Sequence, residues 1–235
     1  MYKNVVIGSG GVNGIFLLTG ALSYLYENSL LESVEHYVGC SAGGVIILLF
    51  LCGLTPKDMM SECLTRYFCD WGFHSCSITK GIRLKEFLQE KVGNTKFGDL
   101  GPKVTIASTN LSKGVVKYLN NRENPEITIV EVCLMTCSIP IVFPPVFYNG
   151  DLYVDGAVKD SFPIHIVPKE GTLAIRLRMK EYTQSQTFKY LKHLIQVVSN
   201  SGHDETGYEC LILDKTSINN FLPGKECSVE ERVQL

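Results

Sequence analysis

Short β-branched runs alternate along the chain with long apolar stretches, and glycines gather at the joints between them. Residues 3–7 form such a run and end in Gly8-Ser9-Gly10-Gly11-Val12-Asn13-Gly14. Over residues 15–26 apolar side chains fall on almost every face of a helix. Strand, glycine loop and buried helix in succession predict the opening of an α/β unit with a parallel sheet, whose strands are covered on both faces. The pattern then repeats. Residues 35–38 predict a short strand, 39–44 a tight turn of small residues, and 45–52 a fully buried helix. Thr55-Pro56 predicts the next helix start, a capping hydroxyl with proline at the first helical position.

Farther along, residues 82–92 predict an amphipathic helix, and residues 103–108, 115–119, 172–177 and 210–213 predict strands. Asn149-Gly150, set between Val146-Phe147-Tyr148 and Leu152-Tyr153-Val154, is a strong hairpin signal. Phe188, Leu191, Ile195 and Val198 line one face of a late helix, with Lys189, Lys192 and His193 turned to solvent. There is no internal repeat, low-complexity run or linker. The expectation is one α/β domain over residues 1–235, a mostly parallel central sheet flanked by helices.

Composition narrows the function classes. In 235 residues the hydrophobic content is 45% and the charged content 20%, ordinary for a packed domain. A net charge of −2 with scattered basic residues gives no footprint for nucleic acid. The nine cysteines are odd in number, include no Cys-x-x-Cys pair and match no zinc spacing, so they read as reduced and mostly buried thiols. The opening MYKNVVIGSGG lacks the charged and long apolar regions of a leader, which points to a cytoplasmic protein, at most peripheral on membranes. Residues 38–54 are apolar or small apart from Ser41, but they sit at the lower limit for a membrane span and lack aromatic or basic anchors. A buried core segment is the better reading. Nothing in the pattern specifies an oligomeric state.

Two glycine-rich joints are candidates for chemistry. Gly39-Cys40-Ser41-Ala42-Gly43 satisfies G-x-S-x-G between a strand and a helix, the setting of a nucleophile elbow. A sharp turn there strains the serine and brings backbones close, so its flanks must be small. The bland alternative is a glycine-rich turn with an incidental serine. Gly8 to Gly14 could instead suggest nucleotide binding, but Asn13 stands where G-x-G-x-x-G needs glycine, and neither a ribose-binding acid nor a Gly-Lys-Ser/Thr follows. Backbone amides in such a loop serve an oxyanion equally well. A nucleophilic serine needs a base. Among His36, His74, His165, His193 and His203, chain order leaves the last three as formal triad candidates, though none lies in a catalytic motif. The better carboxylate is Asp155, which ends the second hairpin strand in an Asp-Gly turn.

Four stretches together resemble the patatin-like phospholipases and acyl hydrolases. GSGGVNG is similar to the family's glycine-rich oxyanion loop, and GCSAGG to its G-x-S-x-G. MTCSIPIVFPPV resembles its A-S-x-A-x-P block, and VDGAVKDSFPI its D-G-G/A block. Their order runs from residue 4 to about 164. The resemblance implies a Ser–Asp dyad of Ser41 and Asp155, oxyanion amides from Gly10, Gly11 and Val12, and structural roles for Gly14, Gly39, Gly43 and Gly156. It further implies metal-independent hydrolysis of phospholipid or other acyl-lipid esters without a cofactor, at a transient membrane or lipid-droplet surface. Asn13 replaces the usual arginine or lysine, Thr136 and Ser138 replace Ser and Ala, and Asp160-Ser161 replaces an Asn pair. A catalytically silent lipid-binding module is the alternative in another class, and a nucleotide-binding α/β protein a weaker one. The aromatic stretch 67–73, with Trp71, either borders the acyl entrance or fills core.

Overall fold

The computed structural model describes residues 1–74, 77–178 and 203–214. In chain order the elements are β1 (Asn4–Ile7), α1 (Gly11–Glu27), β2 (His36–Cys40), α2 (Ala42–Leu51), α3 (Pro56–Thr65), β3 (Trp71–His74), β4 (Ser77–Thr79) and α4 (Ile82–Val92). Then follow β5 (Lys103–Asn110), β6 (Val115–Asn120), α5 (Ile129–Cys137), β7 (Val146–Tyr148), β8 (Asp151–Asp155), β9 (Thr172–Arg178) and β10 (Glu209–Asp214). Among the described residues eight strands make one sheet in the order β10-β9-β1-β2-β5-β8-β7, with β6 also paired to β5. From β10 to β5 all pairs are parallel; β6, β8 and β7 join antiparallel.

The central strands are buried on both faces, as the apolar runs require. On β1, Val5 and Ile7 join the larger core with Leu18 and Leu22 of α1, Ile47 of α2 and Met135 of α5. Val6 points the other way, onto Val38, Phe162, Ile164 and Val167. The period of two along β1 thus divides the molecule into its two core layers.

Pairing along β5 decides where the chemistry can lie. A strand has two edges. β6 occupies one of them over residues 105–110, and β2 the other over 103–107. β8 pairs with residues 108–110 and must therefore continue the edge that β2 leaves. The two strands meet end to end, with Cys40 opposite Ala107 and Asp155 opposite Ser108.

Most predicted elements are present with shifted ends. Helix α1 begins at Gly11, four residues before the expected start, so only Gly8 to Gly10 is loop and the later glycines form the first helical turn. The expected turn over 39–44 contracts to Ser41 alone, because β2 runs on through Cys40 and α2 starts at Ala42. Thr55 caps α3 as expected and forms a reciprocal capping box with Asp58. Asn149 and Gly150, at φ 47° and 85°, turn the β7–β8 hairpin as an Asn-Gly pair should. Helix α5 is an addition to the expected elements, and Thr128 and Glu131 form a capping box at its start. The aromatic stretch runs into the β3–β4 hairpin, which the pattern did not suggest. The apolar run after Ser41 is core: no described helix is long and apolar enough to cross a membrane. The predicted stripe from Phe188 to Val198 lies outside the described residues.

Candidate active site

Ser41 is the single residue between β2 and α2, and it sits at φ 53°, ψ −127°. A non-glycine residue with that φ is strained and is held only by surroundings that over-determine it. The surroundings are visible. A Cβ on Gly39 would lie 2.9 Å from the Gly44 nitrogen, and one on Gly43 would run into the carbonyls of Ile7 and Gly8. The first turn of α2 is thus clamped against the ends of β1 and β2, and the buried Val45, Ile46 and Ile47 anchor the helix beyond. The Ser41 amide donates to Thr136 Oγ1 at 2.8 Å, and that hydroxyl donates to the Ala107 carbonyl at 2.6 Å. One threonine on α5 therefore ties the elbow to β5.

The end-to-end meeting of β2 and β8 brings Asp155 to the serine. Ser41 Oγ donates to Asp155 Oδ2 at 2.7 Å, and the Ala157 amide donates to Oδ1 at 2.8 Å. The backbone of Asp155 is fixed as well: its amide donates to the Ser138 carbonyl, and its carbonyl accepts from Thr109 Oγ1 at 3.0 Å. A Cβ on Gly156 would strike the Ala107 carbonyl, so only glycine lets the chain turn this closely against β5. Both side chains are inaccessible to bulk water, Ser41 at 3% and Asp155 at 2% exposure. Burial raises the Asp155 pKa from 3.8 to about 6, against the pull of the Ala157 and Ser41 hydrogen bonds. The carboxylate is thereby a stronger base than a solvated aspartate yet stays largely ionised at neutral pH.

The expected oxyanion loop is the N-terminus of α1. Gly10 is its N-cap, packed against Leu18 and Leu177, and a Cβ on Gly14 would collide with the same Leu177. Gly11 has φ +61° and faces open space. Amides in a first helical turn lack intrahelical acceptors and lie at the positive end of the helix dipole. Since β1 and β2 are parallel neighbours, α1 and α2 both start at the same edge of the sheet as Ser41.

Cys40 and the histidines are placed differently. Cys40, adjacent to Ser41, is wholly buried, and burial with the charges of Asp155 and Asp160 lifts its thiol well above the usual range. His36 lies at the opposite end of β2, bonded to Thr105 Oγ1 at 2.9 Å; burial and Lys103 push its pKa down to about 4. His165 and His203 gather around Asp160, not Asp155. His74 is on β3, and His193 lies outside the described residues. Among the described residues no histidine contacts Ser41 or Asp155. Thr136, Ser138 and Ala157 complete the hydrogen bonding around this pair and are not among the expected site residues. The first two were visible as departures in the MTCSIP block.

A family profile described as patatin-like phospholipase matches residues 5–168. The chain belongs to that family. This patatin-like chain is 28% identical over 188 residues to "Probable lipid hydrolase 463L" of Invertebrate iridescent virus 6, covering 72% of this chain and 64% of the relative. It is 30% identical over 161 residues to the mouse protein named 1-acylglycerol-3-phosphate O-acyltransferase Pnpla3, covering 63% and 38%. Its fold matches the crystal structure of VipD from Legionella pneumophila with a TM-score of 0.54 at 13% identity, over 96% of this chain and 63% of that one. The chain thus spans less than two thirds of the length of these relatives.

Proposed function

We propose that the protein is a serine acyl hydrolase that cleaves carboxylic esters of phospholipids or related acyl lipids, with Ser41 as nucleophile and Asp155 as its base. The observation that carries this reading is the direct 2.7 Å bond from the strained Ser41 to a buried carboxylate with a pKa of about 6. Asp155 takes the Ser41 proton as Oγ attacks the acyl carbonyl. Amides of Gly10, Gly11 and Val12 stabilise the tetrahedral oxyanion, one such donor being worth ~3 kcal/mol in comparable sites. Collapse expels the alcohol, which receives the proton from Asp155 and leaves an acyl-serine. Water, activated by the same carboxylate, then releases the fatty acid. The dyad itself needs no metal.

A lipid surface suits the same end of the molecule. Leu111, Val115, Phe147 and Leu152 are exposed on the β5–β6 and β7–β8 turns, where Phe147 stands opposite Leu152 and the Leu111 amide bonds the Leu152 carbonyl. Exposed apolar groups gathered in this way mark contact sites.

Labelling with a fluorophosphonate and mapping the adduct tests the reading. Modification at Ser41, lost in Ser41→Ala and kept in Cys40→Ala, supports it; a folded protein that binds lipid without labelling is a silent lipid-binding module. The acyltransferase name of the mouse relative favours a second fate for the acyl-serine, transfer to an alcohol instead of water. Product analysis with and without added 1-acylglycerol-3-phosphate separates the two.

A further inference from the structure

Five residues beyond Asp155, a second polar cluster lies within electrostatic reach of Cys40. The Asp160 carboxylate is buried, 3% exposed, and its amide donates to the Gly156 carbonyl at 2.9 Å. Tyr118 on β6 donates its hydroxyl to Asp160 Oδ2 at 2.7 Å, and the Phe162 amide donates to Oδ1 at 3.1 Å. The Tyr118 hydroxyl also lies 3.2 Å from His165 Nε2. A hydroxyl has one hydrogen. Since Tyr118 gives it to Asp160, His165 Nε2 must carry the proton of that contact and donate to the phenol oxygen. The network thus assigns the tautomer that leaves His165 Nδ1 as a bare lone pair, 3.8 Å from Asp160 Oδ2.

His203, from the segment before β10, completes the group. Its Nε2 is buried and 3.1 Å from Asp160 Oδ1, yet it makes no hydrogen bond among the described residues. The two imidazoles stack with ring centroids 4.0 Å apart, a poor arrangement for two imidazolium charges. Burial and the neighbouring His203 lower the pKa of His165, against the pull of Asp160. The donor atoms of Asp160, His165 and His203 all lie within 4.8 Å of one another. Tetrahedral zinc, with bonds of about 2.0–2.2 Å to nitrogen and oxygen, needs donors about 3.4 Å apart.

We propose that Asp160, His165 and His203 form a binding site for a divalent transition metal of the zinc type, with a fourth position open to water. Two imidazoles and a carboxylate suit zinc better than magnesium or calcium, which prefer all-oxygen shells. The Tyr118 hydroxyl is the outer contact that orients a ligating histidine. The ion stands apart from the dyad chemistry. It joins the segment before β10 to the residues that follow Asp155, closing a connection between parts of the chain otherwise far apart in sequence. No spacing in the sequence announces it, because its ligands come from two separate segments.

The test uses the full chain stripped with a chelator. One equivalent of zinc should bind by calorimetry and elemental analysis, and Tm should rise by roughly 5–10 °C at a hundredfold excess over Kd. Co²⁺ should give the visible bands of a nitrogen and oxygen site without the intense near-ultraviolet band of thiolate ligation. His203→Ala and His165→Gln alter side chains at or near the surface. Each should melt like the metal-free parent and lose both the stoichiometric binding and the zinc-induced rise. Asp160→Asn, which keeps the size of the buried group, should do the same. Substoichiometric zinc in the parent, a thiolate band with Co²⁺, or full binding in the histidine variants would each overturn the proposal.

Discussion

Burial of the Asp155 carboxylate sets its ionisation against the stability of the fold. Its folded-state pKa of about 6 lies above the unfolded value of 3.8, so the native chain binds a proton more readily than the unfolded one. The ionised form therefore costs stability above about pH 6, and the cost fades as pH falls from there through 3.8. Asp155→Asn keeps the shape, can still accept from Ala157 and can donate to Ser41 Oγ. It should abolish turnover and yet raise Tm at pH 8, by the equivalent of about 3 kcal/mol at most. Melts across the pH range check this: the gain should shrink through pH 6 and vanish below about pH 4. Activity should follow the opposite sign, with kcat/KM rising through an acid limb near pH 6 as the base ionises. That limb lies close to where an imidazole titrates, so its position alone does not identify the base. Its temperature dependence does, since carboxylate ionisation is nearly athermal and imidazole ionisation is not. A midpoint that moves strongly with temperature would return a histidine to the site.

At the scale of elements, the elbow depends on a helix contributed from far along the chain. Thr136 on α5 accepts the Ser41 amide and passes a hydrogen bond to Ala107, so its hydroxyl has one role and its methyl another. Thr136→Val keeps the volume but leaves a buried amide unpaired, a loss of about 1–3 kcal/mol. Both Tm and kcat should fall, while Thr136→Ser, which keeps the hydroxyl, should hold kcat near the parent value. Equal damage by the two would assign Thr136 to packing. At the start of α1 the expectation differs. Gly11 faces open space at φ +61°, so Gly11→Val adds backbone strain without a clash. The protein should remain folded, with kcat reduced by about 10²–10³ if this turn supplies the oxyanion amides. Circular dichroism alongside steady-state kinetics separates the two effects.

Across the whole molecule, the exposed apolar turns and the dyad lie toward the same end of the sheet. Phe147, 70% exposed on the β7–β8 hairpin, gives the sharpest probe of a lipid-facing surface. Phe147→Asp should weaken hydrolysis of phospholipid vesicles about tenfold more than that of a soluble short-chain ester. Equal loss on both substrates would place the lipid contact elsewhere. The aromatic stretch is more committed than its composition suggests. Phe68 packs edge-on against Phe87 at 4.9 Å, and Asp70 accepts from the amides of Gly81 and Ile82 at the start of α4. At least those two residues serve to hold the hairpin segment to α4.

What the sequence by itself determined is local. The runs of β1, β2 and α2, the proline start of α3 and the Asn-Gly hairpin follow from backbone preferences spanning a few residues, and so does the strain expected at Ser41. The ends of α1 and of the elbow turn moved because glycine permits a helical first turn as readily as a loop, and the packing of Leu177 on Gly10 and Gly14 selects the helix. Helix α5 is not legible in the pattern because its apolar run lacks a clear face, and being mostly buried it has no need of one. Tertiary structure alone decided the rest. Ser41 and Asp155 are 114 residues apart, and they meet because β6 fills one edge of β5 and leaves β2 and β8 to share the other. The pKa of Asp155 likewise depends on its burial in the folded chain and on its bonds to Ala157 and Ser41. Strand pairing and burial act across the whole chain, and no short stretch of it carries them.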